Sequence, residues 1–343
     1  MKIDLTYRGG SVQFDCAPEE KILLAGLRAG HGLPHECGTG TCGTCKAALL
    51  RGDVEPGWAQ APGRKHLKAG EVLLCQAEAK TDCAVEVRGR LADVAPARPA
   101  HLRGTLRRVI ALNADVRRLE IALEQPVAFA AGQFMLVQAP GIAGFRGWSM
   151  AQFERPASTL VFTVKSMPGG AISRWLIDGD RTGTSLTLFG PMGRALFDPA
   201  ADKNLLCIAG GSGLAPMLAI LQHAAESGHL ARHRLDLFFG VRRLADAYAL
   251  DELMALRDRV PDHVTLTVAL SEEVPSRESA ERYPEVTFAS GFVHAVAGHA
   301  MVGRYDNVTA FLAGPPVMVE AAMRHLIMEA KLPARQIRFD KFS

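Results

Sequence analysis

Hydrophobic and polar residues alternate from the start of the chain and predict a β-hairpin. The alternating runs KIDLTY and SVQFD lie on either side of Gly9 and Gly10, and a period of two is typical of strands that bury one face. After Pro18, the segment EEKILLAGLRAG has the apolar spacing of an amphipathic helix. Later short runs, KAALL, EVLLCQAE and CAVEVR, complete a small sheet on which this helix is expected to pack.

A second pattern covers residues 101–198 and predicts an antiparallel β-barrel. Short β-patterned runs are separated there by turn residues: LRRVIAL, VRRLEIAL, QFMLVQAP, TLVFTVKS and SLTLFGP. The preceding segment, GRLADVAPARPAHLRG, has two prolines and the composition of a linker, which places a domain boundary near Pro96.

From Asp202 onward, apolar strands alternate with helical segments, which predicts an open parallel α/β sheet. The strand runs are NLLCIAG, RLDLFFG, HVTLTVAL and NVTAFLAG. The three patterns together predict domains at residues 1–95, 96–200 and 201–343.

Charge and hydropathy exclude two classes of partner. The 343 residues carry a net charge of +3, and residues 1–93 hold 12 basic and 12 acidic side chains, so no basic patch suited to nucleic acid is concentrated there. The N-terminus lacks the basic start and apolar run of a signal peptide, and the one stretch near membrane length contains a glycine cluster and a proline. We therefore expect a cytoplasmic protein that binds neither membranes nor nucleic acid.

Four of the seven cysteines have the spacing of a metal cluster. Seven is an odd number in a long chain without a secretory signal, which favours ligand chemistry over a disulfide framework. Cys37, Cys42, Cys45 and Cys75 form the pattern C-x4-C-x2-C-x29-C, the plant-type [2Fe-2S] arrangement. Gly38, Gly40 and Gly43 permit the positive-φ turns that point backbone N–H groups at the sulfurs.

Two other metal centres are weaker interpretations of the same loop. A structural zinc site usually presents two short cysteine pairs, whereas one loop here supplies three thiols. A Rieske centre requires two histidine ligands, and His31 and His35 lack the required pattern. The other cysteines, Cys16, Cys83 and Cys207, lie in strand-like runs and are expected to be buried as small hydrophobic residues.

Four glycine-containing or arginine-containing motifs indicate binding of phosphate groups. The first two are GFRGWSMA, with Arg146, and SMPGGAISRWL, whose glycines begin a predicted helix; each alone is equally typical of an ordinary strand or turn. The third, IAGGSGLAPM, is a strand, a glycine turn and a helix, the geometry that receives a nucleotide pyrophosphate. The fourth is FLAGPPVM, where a further strand enters a Gly-Pro-Pro turn.

The order of these motifs resembles the NADH-dependent reductase components of multicomponent oxygenases. That resemblance implies a β-grasp [2Fe-2S] ferredoxin domain, an FAD-binding β-barrel and an NAD(P)-binding α/β domain. It is greatest to reductases of bacterial toluene or phenol di-iron monooxygenases, in the segments RGDVEPGWAQAPGRKHLKAGEVLLCQ, YPEVTFASGFVH and IRFDKFS. Reductases of benzoate-type Rieske dioxygenases have a similar plan and are the alternative.

The resemblance also implies roles for individual residues. The flavin motif falls on Arg146, Trp148 and Ser149, with tryptophan in place of the usual tyrosine, and the flavin phosphate motif falls on Gly169, Gly170 and Ser173. The nicotinamide nucleotide loop comprises Gly210, Gly211, Ser212, Gly213 and Pro216. Ala313 replaces a cysteine that the family places beside the nicotinamide, before Gly314, Pro315 and Pro316. Phe342 is the aromatic residue expected to cover the flavin, and Phe339 is the alternative candidate.

These assignments imply electron flow from NADH through FAD and the [2Fe-2S] cluster to an oxygenase or a Rieske ferredoxin. We expect a monomer that docks its acceptor through Glu36, Thr39, Gly40 and Thr41. Arg242 and Arg243 follow a strand at the position where an arginine can hold the 2′-phosphate of NADPH, but GVRRLADAYALDEL resembles NADH-using members. A redox sensor, or a structural zinc protein with a vestigial flavin domain, is the alternative of another class.

Overall fold

The computed structural model describes residues 1–93, 97–167 and 169–342. The boundary expected at Pro96 lies outside the described residues, so the three domain ranges remain predictions. By compactness the chain divides into two units. The first comprises Met1–Arg103, Phe134–Gly147 and Leu186–Gly193, and the second comprises Gly104–Gln133, Trp148–Ser185 and Arg194–Ser343.

The N-terminal part of the first unit is a mixed sheet with one helix. Its elements are β1 (Lys2–Tyr7), β2 (Gly10–Asp15), α1 (Ile22–Arg28), β3 (Lys46–Arg51), β4 (Val54–Glu55), β5 (Glu71–Leu73), β6 (Glu78–Ala79) and β7 (Cys83–Glu86). The main sheet has the order β2-β1-β7-β3-β5, with β1 antiparallel to β2 and parallel to β7, and β4 pairs with β6. The predicted hairpin and the small sheet are therefore present.

Helix α1 begins later than the sequence pattern suggests. Glu19 has a φ of 63°, in the left-handed region, and Lys21 is extended and forms an isolated bridge with Glu78. The chain therefore turns and pairs once with a strand before the helix starts at Ile22. Six of the seven helical residues are buried, because the helix covers the face of the sheet that Ile3 and Leu5 line.

A six-stranded antiparallel sheet follows. Its elements are β8 (Ala100–Ala111), β9 (Val116–Val127), β10 (Phe134–Gln138), β11 (Arg146–Ser149), β12 (Ala157–Lys165), α2 (Ala171–Ile177) and β13 (Ser185–Met192). The strand order is β11-β10-β13-β8-β9-β12. All five strand runs predicted for the barrel are strands, and their observed pairings are antiparallel.

The C-terminal part is an open parallel sheet with helical connections. Its elements are β14 (Asn204–Gly210), α3 (Leu214–Glu226), β15 (Leu235–Val241), α4 (Leu250–Arg257), β16 (Val264–Leu270), α5 (Arg277–Arg282), β17 (Val286–Ser290), α6 (Val293–Ala300), β18 (Val308–Gly314), α7 (Pro316–Met328) and β19 (Ile337–Lys341). The order is β17-β16-β15-β14-β18-β19, and every pairing is parallel. The predicted fold class is therefore confirmed in all three parts. In the described part of the chain, no helix has the length and apolar character required to cross a membrane.

Candidate functional site

The four cysteines predicted as iron ligands lie in two pairs. The Sγ atoms of Cys37 and Cys42 are 3.2 Å apart, and the buried thiols of Cys45 and Cys75 interact directly. Within the described ranges, no group of three or more His, Cys, Asp or Glu side chains could hold a single metal ion. A [2Fe-2S] cluster takes two thiolates at each iron, whereas structural zinc needs four ligands around one ion. The paired arrangement therefore fits a binuclear cluster.

The loop between these cysteines directs backbone N–H groups at the sulfurs. The amides of Thr39 and Cys42 each donate to the Sγ of Cys37 at 3.4 Å. The three loop glycines have φ values of 67°, 92° and 77°, in the region that favours glycine. Hydrogen bonds, first from Cys42 and then from Thr41 and Thr39, lower the pKa of Cys37 to about 3. The same interaction raises the pKa of Cys42, so the first ionisation of the pair is favoured at Cys37, and a thiolate is the form that binds iron.

The three remaining cysteines belong to neither pair. Cys16, Cys83 and Cys207 are each at most 2% exposed. Burial raises the pKa of the Cys16 thiol to about 11 and raises the pKa of the other two as well. These three thiols are therefore small buried side chains outside the two pairs, as their strand-like surroundings predicted.

Strand β11 carries the predicted flavin motif. Arg146 is half-buried and donates through Nη1 to the carbonyl of Phe145 at 3.0 Å. Trp148 is only 7% exposed, and its ring packs against Phe162 with centroids 5.8 Å apart. The indole of Trp148 thus fills the barrel interior, and its expected contact with a flavin remains a prediction.

Two buried polar groups beside this motif have no hydrogen-bond partner among the described residues. They are the Oγ of Ser149 and the Nε2 of Gln133, whose carbonyl accepts from the amide of Met150 at 3.3 Å. A buried polar group left without a partner costs about 1–3 kcal/mol. The isoalloxazine edge of a flavin offers both donors and acceptors, so these residues fit FAD. Gln133 was not predicted from the sequence, because a lone glutamine before a strand has no distinguishing pattern.

The predicted flavin phosphate turn precedes helix α2. Gly169 has a φ of 74°, Gly170 is the N-cap, and the Oγ of Ser173 accepts from the amide of Met167 at 2.8 Å. Ser173 therefore closes the turn, while its own hydroxyl hydrogen can still be donated. The free N–H groups of the first helical turn are the feature that suits this turn to a phosphate.

A cavity of about 460 Å³ lies at the carboxyl edge of the parallel sheet. Ligands of open α/β sheets bind at this edge. Of the predicted nucleotide residues, Gly210, Gly211 and Pro315 line the cavity, whereas Ser212, Gly213, Pro216, Gly314 and Pro316 are not among the lining residues. Other lining residues come from the loops and helix starts that follow the parallel strands, and from the barrel: Asp115, Lys165, Arg242, Asp246, Tyr248, Ser271, Phe292, His294, Val317 and Met318.

Gly213 does not line the cavity but lies against the backbone of β18. A Cβ atom added there would lie 2.0 Å from the carbonyl oxygen of Ala313, so the glycine turn crosses the end of β18 with no space for a side chain. Ala313 itself is 1% exposed and does not line the cavity. The amide of Phe342 donates to the carbonyl of Gly314 at 2.9 Å, while Phe339 packs against the hydrophobic core. Of the two candidate aromatics, Phe342 is the one that lies at the Gly-Pro-Pro turn.

Charged groups in the cavity are paired with one another. Lys165 Nζ lies 3.2 Å from Asp115, and Arg242 Nε lies 3.8 Å from Asp246. The hydroxyl of Tyr248 donates to the carbonyl of Gly211 at 3.1 Å, and burial raises its pKa. This hydrogen bond fixes Gly211, and the protonated phenol is the state that can donate it.

Comparison with known protein families agrees with this division of sites. Three family models match the chain: a 2Fe-2S iron-sulfur cluster binding domain over residues 5–80, an oxidoreductase FAD-binding domain over 103–197 and an oxidoreductase NAD-binding domain over 207–324. The protein is therefore an oxidoreductase with iron-sulfur, flavin and nicotinamide nucleotide domains in one chain.

Individual relatives extend the similarity to the whole chain. The ferredoxin--NAD(P)(+) reductase CarAd of Metapseudomonas resinovorans is 32% identical, covering 97% of this chain and 98% of the relative. The xylene/toluene monooxygenase electron transfer component XylA of Pseudomonas putida is 33% identical, covering 94% and 89%. A solved ferredoxin reductase in carbazole 1,9a-dioxygenase has a TM-score of 0.86 and 31% identity, covering 100% and 99%. The chain belongs to this family of three-domain ferredoxin–NAD(P) reductases and oxygenase reductase components, as its motifs predicted.

Proposed function

We propose that this protein passes electrons from NADH through FAD and a [2Fe-2S] cluster to the oxygenase of a multicomponent monooxygenase of aromatic compounds or other hydrocarbons. An intermediate ferredoxin can take the oxygenase's place as acceptor. One observation carries the proposal: a single chain joins two pairs of cysteines, a barrel with unpartnered buried polar groups and a nucleotide cavity. A monomeric state and a cytoplasmic location remain predictions.

A reductase of a Rieske-type dioxygenase is the second candidate. The whole-chain similarity to a ferredoxin reductase in carbazole 1,9a-dioxygenase favours it, just as the similarity to the xylene/toluene monooxygenase component favours the first. Both candidates require the same chemistry from this chain, and they differ only in the protein that accepts the electrons.

The residues of each domain have separable tasks in this proposal. When bound, FAD accepts two electrons as a hydride and releases them one at a time, which a one-electron iron-sulfur centre requires. The backbone at Gly210 and Gly211 holds the nucleotide pyrophosphate at the carboxyl edge of β14. Ser149 and Gln133 hold the flavin ring through hydrogen bonds, and Arg146 neutralises the flavin phosphates. The cysteine pairs hold the cluster.

The cavity favours NADH over NADPH as the donor. Arg242 is the side chain that could bind a 2′-phosphate, but it is paired with Asp246. The Asp246 carboxylate lines the same cavity, where it can accept a hydrogen bond from a 2′-hydroxyl and would repel a phosphate. We expect a higher kcat/KM for NADH than for NADPH, measured with ferricyanide as acceptor.

The experiment that tests the function is anaerobic titration of the purified protein with NADH. We expect flavin and [2Fe-2S] absorption bands that NADH bleaches and an added oxygenase component restores. A colourless zinc protein, or a coloured one that NADH does not bleach, would refute the proposal. Restoration by a phenol or toluene monooxygenase hydroxylase, compared with a Rieske ferredoxin, separates the two candidates.

The first prediction concerns Arg146. Arg146→Ala is expected to weaken FAD binding about tenfold or more, because it removes a charge-assisted contact of about 1.5–3 kcal/mol. The measurement is the Kd of FAD for the flavin-free protein. Arg108→Ala is the matched control, since Arg108 is an exposed barrel arginine paired with Glu120 and should leave the Kd unchanged. An Arg146→Ala variant that keeps the parent Kd would show that Arg146 does not bind the flavin.

The second prediction concerns Ala313, where the family has a cysteine. Ala313→Cys is expected to accelerate flavin reduction by NADH with little change in NADH affinity, if the thiol seats the nicotinamide only in the transition state. Each tenfold gain corresponds to about 1.4 kcal/mol. Stopped-flow reduction of parent and variant at saturating NADH measures the effect. An equal or lower limiting rate in the variant would mean that a thiol has no role at this buried position.

A further inference from the structure

Trp58 is an exposed tryptophan that the proposed mechanism does not use. It is 48% exposed, and among the large hydrophobic side chains that are exposed in the described part of the chain, only Trp58 and Phe292 are aromatic. Phe292 lines the nucleotide cavity, whereas Trp58 does not. Tryptophan is highly buried on average and is enriched at the centres of protein–protein interfaces, where its large ring is removed from water. The position of Trp58 relative to the cluster loop, residues 37–45, therefore bears on where another protein docks.

The turn that carries Trp58 is fixed against the cluster loop. The amide of Gly63 donates to the carbonyl of Gly40 in that loop at 2.9 Å. A Cβ atom added to Gly57 would lie 2.5 Å from the carbonyl oxygen of Gln76, which directly follows a predicted iron ligand. Trp58 lies between these two contacts in the chain, so its backbone is held beside the loop.

The cluster loop is covered on two sides within the first compact unit. A Cβ atom added to Gly38 would lie 3.2 Å from side-chain atoms of Leu136 and Met192, so barrel strands of that unit cover one side. Gly40, one of the expected docking residues, is buried, and residues 56–70 contact it from another side. A protein that approaches this part of the loop therefore meets residues 56–70 instead of Gly40.

This covering segment, residues 56–70, is basic. It contains Arg64, Lys65 and Lys68 but no acidic residue, and the cluster loop itself contains no charged residue. Lys65 and Lys68 are exposed, and Arg64 donates through Nη1 to the carbonyl of Pro56 at 3.4 Å. Among the ion pairs of the described residues, none includes any of these three side chains. The surface beside Trp58 therefore presents positive charge that is available to a partner.

We propose that Trp58 and the basic side chains Arg64, Lys65 and Lys68 form a docking surface for an acidic face of the protein that accepts electrons from the cluster. The inference rests on the proposed function and adds the charge of the partner. Opposite charge steers the acceptor to the cluster loop and repels basic proteins, while the indole of Trp58 supplies an apolar contact once the two proteins meet.

Two haem proteins of opposite charge test the proposal with the full-length protein, its cofactors bound and NADH as donor. Cytochrome b5 presents acidic side chains around its haem edge, whereas cytochrome c presents lysines. Salt screens attraction between exposed charges, so kcat/KM for cytochrome b5 should fall as salt is added, and kcat/KM for cytochrome c should rise. The direction of each salt dependence does not depend on the different haem potentials. A kcat/KM for cytochrome b5 that does not fall with salt would overturn the proposal.

Substitutions separate the apolar contact from the charge. Trp58→Ala is expected to lower kcat/KM for cytochrome b5 about tenfold at low and high salt alike, because salt does not screen an apolar contact. Lys65→Glu together with Lys68→Glu should lower it about tenfold or more at low salt but little at high salt. Isothermal titration calorimetry of the oxidised proteins should show the Kd for cytochrome b5 rising in the same way. Values equal to the parent's in either variant would overturn the proposal.

Matched controls come from the second compact unit. Val302→Ala truncates an apolar side chain that is 74% exposed. Lys331→Glu together with Arg335→Glu reverses two exposed basic residues, which changes the net charge as much as the double substitution beside Trp58. Both controls should keep kcat/KM and Kd for cytochrome b5 within about twofold of the parent. An equal loss in the charge control would mean that only net charge matters, and would overturn the proposal.

Further readouts separate docking from a change in the cluster. Stopped-flow flavin reduction by NADH, the electron paramagnetic resonance spectrum of the dithionite-reduced cluster and its reduction potential should match the parent in every variant. A shifted potential with an unchanged Kd would mean that the basic residues tune the cluster, and would overturn the proposal. If NADH bleaches neither flavin nor cluster in the parent, the proposed function fails instead, so the two failures are distinguishable.

Discussion

Serine at any one of Cys37, Cys42, Cys45 or Cys75 is expected to remove or destabilise the cluster while flavin reduction by NADH survives. The cysteines lie in two pairs, so each substitution leaves one iron with a single protein thiolate. The flavin and nucleotide residues are in other segments of the chain and keep their contacts. Iron content, visible absorption and stopped-flow flavin bleaching of each purified variant measure the two effects separately.

The other three cysteines are the matched controls. Cys16→Ser, Cys83→Ser and Cys207→Ser change thiols that are each at most 2% exposed and belong to neither pair. These variants should retain the full iron content of the parent, although each loses some stability by burying a hydroxyl. If one of them proves as necessary for iron as the four predicted ligands, the ligand assignment is wrong.

Local hydrophobic patterns predicted most of the strands that the structure contains. The β1–β2 hairpin and strands β14, β15, β16 and β18 are long, strongly patterned runs, and the structure contains all of them. Strand β17, at one edge of the sheet, was not predicted. Only Val286 of its five residues is buried, so it lacks the continuous apolar run that marks central parallel strands.

Some candidate site residues lie in contiguous motifs that can be read from the sequence, whereas others are brought together only by the fold. Cysteine spacing and glycine turns are contiguous in sequence, so the cluster loop and the Gly210–Gly211 turn could be predicted. Asp246, Phe292 and Asp115 line the nucleotide cavity only because separate loops converge on one sheet edge. Phe292 lies two residues after the end of β17, so predicting that strand would also have placed Phe292 near the carboxyl edge.

No local pattern predicts that the barrel strands are divided between the two compact units. Segments Phe134–Gly147 and Leu186–Gly193 belong by compactness with the N-terminal residues, although the sequence pattern assigns them to the flavin domain. Their contacts with the cluster loop, through Leu136 and Met192, join residues about a hundred or more positions apart. Hydrophobic periodicity shows that Leu136 is buried, but not which domain buries it.

A side chain at Gly213 is expected to disrupt the glycine turn that follows β14. Gly213→Ala would place a Cβ 2.0 Å from the carbonyl oxygen and 2.4 Å from the carbonyl carbon of Ala313. Both are backbone atoms of a central strand, so the turn itself must move. Gly213 has a φ of −62°, which alanine adopts freely, and crowding is therefore the whole cost. Overpacking of this kind costs about 1–3 kcal/mol, occasionally more.

We expect Gly213→Ala to raise the KM for NADH about tenfold or more, because displacing Gly210 and Gly211 loses at least about 1.4 kcal/mol of nucleotide binding. Flavin and cluster absorption, and their reduction by dithionite, should be unchanged. Gly228→Ala is the matched control beyond the other end of α3, where φ is 73° and no atom lies within 4 Å of an added Cβ. Its cost of about 1–2 kcal/mol is conformational, so it should lower the free energy of unfolding without raising the KM. Equal KM values in the two variants would show that the close approach of the turn to β18 does not hold the nucleotide.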